Sequence, residues 1–230
     1  MMTRWGDFRQ TVERFGMRAV AYDLAMRALN RLVVFRVFVG VRADTLDPAF
    51  LELDERFRFT LLTEAMLGRF TTDEFEIAPA FLRQALERGD ECYGILDSNV
   101  LASYGWYSSA PTRIYPPDLV LHFNPEYIYT YKAFTHPNYR GRRLHAIAMT
   151  KALQAYLARH FKGLVCYVES TNFSSLKSVY RMGYKDIGKI YMAKVFHHYW
   201  LYPDEACKRY RFYLEPVPLS TALAAPAVGD

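Results

Sequence analysis

Apolar residues recur along this chain with two periods, and the switches between them mark its elements. From residue 7 to 31, Phe8, Val12, Phe15, Ala19, Tyr22, Met26 and Leu29 return at spacings of four and three, the stripe of an amphipathic helix. Gly16 weakens it, and Arg9, Arg14, Arg18, Arg27 and Arg31 occupy the other faces. Packing on its own domain is the simplest use of such a stripe. A homodimer seam is an alternative, and so is peripheral membrane contact through a basic, aromatic-rich face. LVVFRVFVGV (32–41) predicts a strand. Thr45, Asp47 and Pro48 then supply helix-start chemistry, which predicts a helix over 49–67. A second helix is expected over 72–88, kinked or split at Pro79 and stopped at Gly89.

The period shortens again at 92–96 and 100–107, two strands joined as a hairpin at Asp97-Ser98-Asn99. Residues 110–125 read as a loop because Pro111, Pro116, Pro117 and Pro125 exclude a regular element. Glu126–Phe134 has bulky residues at both parities and predicts a central strand with both faces covered. A helix over 142–160, a short buried strand at 164–168 and a helix over 174–182 stopped by Gly183 follow. Residues 184–200 read as one or two strands broken at Gly188, and the uncharged stretch from Pro216 as a tail. Strands alternating with helices imply a mixed α/β sheet. The domain organisation expected is an amphipathic helix at 1–31, one main α/β domain at 32–215 and a flexible tail at 216–230.

Composition changes this picture only slightly. A net charge of +5 favours anionic ligands without choosing among them. Cys92, Cys166 and Cys207 are odd in number and lack metal-ligand spacing, which argues against a disulfide framework or zinc and for a reducing, cytoplasmic setting. The histidines lack a ligand pattern, so no metal is expected. No secretory h-region or membrane-spanning run is seen, and the basic residues form no nucleic-acid motif.

The chemistry concentrates at THPNYRGRRLHAIAMTKALQAYL (135–157), where a strand turns through Pro137 and Gly141 into a helix. Unpaired N–H groups from Gly141 to His145, through Leu144, would face an anion with the helix dipole behind them. Arg140 and Arg142 add charge-assisted contacts, and Gly141 allows close backbone approach. A second stretch, NFSSLKSVYRMGYK (172–185), begins about 30 residues further on.

Together these stretches resemble the GNAT acyltransferase superfamily. Asn138-Tyr139-Arg140-Gly141-Arg142-Arg143 looks like its acyl-CoA pyrophosphate loop, with Asn138 for the usual Gln or Arg and Arg143 for the usual Gly or Ala. Asn172, Ser175, Tyr180 and Gly183-Tyr184 stand for its second motif. Element order extends the resemblance over roughly 32–195. It implies a GNAT-like, mostly antiparallel sheet flanked by helices, and acetyl-CoA or another acyl-CoA as donor to an amine. It also implies that Tyr180 is the general acid, that Asn172 contacts the pantetheine or acyl carbonyl, and that Phe134 and Thr135 offer backbone to the pantetheine amides. Arg143 would either narrow the phosphate cradle or put a guanidinium on the cofactor. Glu126 is the candidate general base, acting through a water if needed, with His122 and Tyr129 as acceptor-binding positions.

Three functions fit these residues. One is an N-acyltransferase acting on a small-molecule or peptide amine. Another takes a long acyl chain, with acidic acyl carrier protein as a partner for the basic face. The third is a non-catalytic module that uses the N-terminal helix to bind a partner or membrane.

Overall fold

Alternating apolar residues build eight strands of this chain into one sheet. The structure, a computed structural model, describes residues 4–31, 33–196 and 198–217. Helix α1 (Arg4–Leu29) breaks at Gly16, where φ is 81°. Its Val20 and Met26 are buried. The Asn30 amide donates to the carbonyls of Met26 (2.8 Å) and Phe35 (2.9 Å) and accepts from the Phe35 N–H, tying the helix to the first strand. The chain continues through β1 (Val34–Ala43), β2 (Phe57–Leu61), α2 (Glu64–Gly68), α3 (Pro79–Glu87), β3 (Glu91–Asp97) and β4 (Val100–Ser108). Next come β5 (Thr112–Ile114), β6 (Leu119–His122), β7 (Tyr127–Thr135), α4 (Leu144–Ala158), β8 (Gly163–Glu169) and α5 (Phe173–Arg181). β9 (Lys185–Val195), β10 (His198–Pro203), α6 (Glu205–Arg209) and β11 (Tyr213–Pro216) complete the described part.

Eight strands lie in the order β10-β9-β1-β8-β7-β4-β3-β2, and β11-β6-β5 form a small second sheet. Within the large sheet β7 and β8 pair in parallel, while the other neighbours run antiparallel. The parallel pair follows from the chain path, because β7 and β8 are joined by a helical crossover and not a hairpin. That crossover helix, α4, buries Ile147, Met149, Leu153 and Tyr156. Tyr156 meets Tyr93 and Tyr107 at ring separations of 5.7 and 5.5 Å, and its hydroxyl donates to Glu91 at 2.7 Å.

The hairpin, the central strand, the split at Pro79 and helices α4 and α5 fall where the pattern predicts them. Three expectations need correction. Residues 49–67 are not one helix. Asp47 caps a single 3-10 turn at Pro48–Phe50, and Phe57–Leu61 form an edge strand on β3, with Phe59 stacked on Tyr93 at 5.2 Å. A strong start signal was followed by a period of two, which the sheet could use. The stretch 110–125 is not an open loop: β5 and β6 pair as a hairpin, with Pro116 and Pro117 in the connection and Pro111 and Pro125 outside the strands. Its third strand, β11, comes from 213–216, and no local signal reports so distant a partner. Strand β9 runs unbroken through Gly188, because the register shift at Gly40/Val41 of β1 absorbs the irregularity, and the turn comes at Phe196. Of the expected tail, residues 218–230 lie outside the described residues.

Candidate active site

The site begins where the parallel pair ends. β7 and β8 share the pairings Tyr127↔Gly163, Ile128↔Leu164 and Tyr129↔Val165, and none beyond, although the strands run on to Thr135 and Glu169. A bulge in β7 separates them. Its register against β4 shifts between Tyr104 and Trp106, and Lys132 takes a φ of 44°. An extra residue on one strand bends that strand away from its neighbour. From Thr130 onward the β8-facing edge of β7 therefore has no ladder partner, and the strands diverge around a cleft of about 630 Å³.

The two faces of the sheet give this cleft two kinds of wall. Strand alternation puts Tyr129 and Tyr131 on one face, with Tyr167 and Glu169 of β8 alongside. The rings of Tyr129 and Tyr131 stack at 5.5 Å, and those of Tyr129 and Tyr167 at 6.4 Å. The Tyr131 hydroxyl donates to buried Asp90, which also takes the Arg88 Nε at 3.0 Å; the second Asp90 oxygen has no partner among the described residues. Glu169 accepts from Arg36 Nη1 at 2.5 Å. Burial raises the Tyr129 phenol well above its ordinary range and pushes Tyr167 up to about 12, with Glu169 adding to the latter, so both stay protonated at neutral pH. The opposite wall carries His145 and Met149 of α4 with Ser175, Ser178 and Val179 of α5. Burial lowers the His145 pKa, which keeps this imidazole neutral.

At the open end, the turn from β7 into α4 is held from below. Buried Tyr139 donates to Asp97 at 2.8 Å, and the Arg56 Nε meets the same oxygen at 2.9 Å. Buried His136 accepts from the Asn138 N–H at Nδ1 (3.3 Å), which leaves Nε2 to donate to Glu74 at 2.9 Å. Gly141 has a φ of 80° with open space around it, and Arg143 is left-handed at φ 59°. Arg143 is the N-cap residue of α4 and makes no side-chain cap bond, and the first turn holds no acidic residue. The first intrahelical bond runs from the Ile147 N–H to the Arg143 carbonyl, so the N–H groups of the preceding helical residues have no intrahelical partner. Arg143, His145 and Ala146 line a second cavity of about 770 Å³ at this turn. His145 borders both spaces.

A family profile described as the acetyltransferase (GNAT) family matches residues 56–184, more than half of the chain. The chain belongs to the GNAT acetyltransferase family. No curated protein matches it. Among solved structures it is similar to a GNAT-family protein from Novosphingobium aromaticivorans, at 16% identity and a TM-score of 0.50, covering 81% of this chain and 67% of that one. It is also similar to a GCN5-related N-acetyltransferase-like protein from Streptococcus suis, at 18% identity and a TM-score of 0.48, covering 79% and 67%. The first of these similarities agrees with a GNAT fold, a mostly antiparallel sheet flanked by helices.

Within this GNAT domain the residues singled out from sequence separate into two groups. Phe134, Thr135, His145, Asn172 and Tyr129 line the cleft, and Arg143 and His145 line the adjoining cavity. Gly141, Arg142 and Leu144 belong to the same turn, and the Arg140 Nε reaches back to the Thr135 carbonyl at 3.4 Å. Glu126 stands at the paired end of β7, exposed, where Lys162 meets it at 2.8 Å and lowers its pKa. His122 sits in the small sheet, 3.1 Å from Glu215 and stacked on Tyr213 at 4.8 Å. Tyr180 is 45% exposed and donates to Asp186 at 2.7 Å; burial first, then this bond, pushes its pKa up to about 12. It stands eight residues after Asn172, and the helix turns position seven, Val179, into the cleft instead. Sequence reasoning missed Glu169, Arg36, Tyr131 and Asp90. The shared parity of Tyr129 and Tyr131 was a readable signal, but nothing local showed that β8 would end beside them. Among the described residues no cluster of His, Cys, Asp and Glu would hold a metal ion, and no helix is long and apolar enough to cross a membrane.

Proposed function

We propose that this protein transfers a short acyl group from acyl-CoA to a primary amine of a small molecule or peptide. The observation that carries the reading is the cleft between β7 and β8, which runs from an unpaired strand edge to a helix start with unspent N–H donors and arginines. The donor fits both parts. Its pantetheine amides match the free edge of β7 around Phe134 and Thr135, as a strand added to a sheet would. Its phosphates match the turn from Arg140 to His145. The stacked Tyr129, Tyr131 and Tyr167 close the cleft with bulky rings, which favours an acetyl or similarly short chain over a long one.

In this reading the amine attacks the thioester carbonyl, a C–N bond forms, and the C–S bond breaks to release the thiolate. Glu169 is the carboxylate that reaches the cleft, and it takes the amine proton directly or through a water. Arg36 holds it oriented. N–H groups on the open edge of β7 stabilise the oxyanion. A thiol of ordinary acidity leaves as thiolate near neutral pH, so the distance of Tyr180 from the cleft does not block the step. The test is release of free thiol from acetyl-CoA and longer acyl-CoAs across an amine panel. Turnover with a short-chain donor is expected. Failure of every acyl-CoA to bind would sink the reading.

A further inference from the structure

The 770 Å³ cavity beside the turn is walled by more than the GNAT domain. Helix α1, outside the matched residues 56–184, contributes Arg14 and Phe15. Arg143 comes from the start of α4, Lys177 and Arg181 from α5, and Phe50 from the connection after β1. Four cations from three helices thus face one space, and no carboxylate lines it. None of the four is ion-paired among the described residues, whereas Arg27, on the same α1, is paired with Asp23 at 2.8 Å. Like charges gathered without a counter-charge repel, and a polyanion relieves them. Two aromatic rings in the same lining, Phe15 and Phe50, add faces on which a base can stack. Arginines, a lysine and aromatic rings around one space are the lining that a nucleoside carrying several phosphates requires.

Beside the cavity, helix α1 meets α5 and the residue that follows β8. Phe15 meets Phe173 at 5.6 Å, Lys177 lies 5.7 Å from the Phe15 ring centre, and the Tyr22 hydroxyl bonds Ser170 at 2.8 Å. The break at Gly16 stands directly after the two cavity residues, so this segment is not locked to the rest of the helix by a continuous hydrogen-bond ladder.

We infer that α1 completes the donor site: Arg14 binds the phosphates at the nucleotide end of acyl-CoA, Phe15 helps enclose its base, and donor binding fastens the helix onto α5. The inference rests on the acyl-CoA reading above and adds to it a donor-binding residue from outside the family domain.

The test uses the full chain with Arg14→Glu and, on the same helix but away from the cavity, Arg18→Glu. Isothermal titration would measure CoA, 3′-dephospho-CoA and pantetheine, and hydrogen exchange would follow residues 12–29 with and without CoA. Arg14→Glu is expected to weaken CoA at least tenfold, to weaken dephospho-CoA less, and to leave pantetheine unchanged. Arg18→Glu leaves CoA binding within about twofold. CoA slows exchange in α1. Equal losses from both variants would mean a general field effect and overturn the inference, as would CoA binding unaltered by Arg14→Glu or exchange in α1 unaltered by CoA. In those cases the parent still binds CoA and the acyl-CoA reading stands. If the parent binds no CoA, both fall together.

Discussion

Two strand-to-helix turns open onto the same cleft, and they handle their helix ends in opposite ways. Where β8 enters α5, Asn172 caps the helix: its carbonyl oxygen accepts from the Ser175 N–H at 3.1 Å and from the Ser174 hydroxyl at 3.0 Å. Where β7 enters α4, the cap position is Arg143, with no side-chain cap bond and a left-handed backbone. The first turn satisfies itself. The second leaves its donors unspent and surrounds them with positive charge. A helix end without a cap costs on the order of 1 kcal/mol. A left-handed arginine costs roughly 1–2 kcal/mol more. A chain that tolerates both at one turn, while capping the neighbouring one, fits the uncapped turn's proposed role as the donor's phosphate site.

The comparison assigns chemistry to neither turn, so the largest expected effect lies between them. Glu169→Gln keeps the shape and removes the base. It should lower kcat/KM by about 10²–10³-fold with donor affinity unchanged, read from steady-state rates beside titration of CoA. A loss confined to donor affinity would move Glu169 into the binding apparatus. Next comes Arg143→Asp, which reverses the charge at the open turn. An acid at that position tolerates the left-handed backbone and complements the dipole, so the fold should gain about 0.5–1 kcal/mol. CoA should bind roughly 10–100-fold more weakly, the equivalent of one lost charge-assisted bond or more. A variant that binds CoA as the parent does would break the contrast between the turns.

Asn172 tests the capped side. Asn172→Ala should cost about 1 kcal/mol of stability in urea unfolding, whereas Asn172→Asp keeps the cap and the stability. If Asn172→Asp also keeps full activity, the side-chain amide has no part in holding the donor. Tyr180→Phe should change kcat by less than about threefold, because the hydroxyl bonds Asp186 outside the cleft. A drop of a hundredfold would require α5 to turn during the reaction. The smallest effect concerns His145, whose pKa burial lowers from about 6.5. Below that pH the unfolded chain takes up the proton first, so stability declines as pH falls from 6.5 toward the lower native value and is flat above it. His145→Gln should remove that part of the slope, measured by unfolding at a series of pH values.

The turn beside the cleft was legible in the sequence as a local pattern. Gly141, the arginines beside it and the helix that follows are local signals, and the structure places them at one turn of the cleft. Asn172 and Gly183 likewise mark the two ends of α5. The expectations that departed from the structure share a cause, since each needed a partner far along the chain. β2 is a strand because β3 offers it an edge, and the small sheet exists because 213–216 returns to 119–122. Glu126 looked well placed as the first residue of the central strand. It lies at the end where β7 and β8 remain paired, and only the point of divergence tells the two ends apart.

The sequence by itself determined the hairpin, the central strand, helices α4 and α5 with the turn between β7 and α4, and the family, because periodicity, glycine conformation and capping act over a few residues. Tertiary structure decided which side chains meet. The bulge at Lys132 separates β7 from β8 and thereby brings Glu169, Tyr131 and Tyr167 into one cleft. The helical angle between positions seven and eight after Asn172 turned Val179 inward and Tyr180 outward. Contacts across strands depend on register and on where pairing stops, and no local run of residues encodes either.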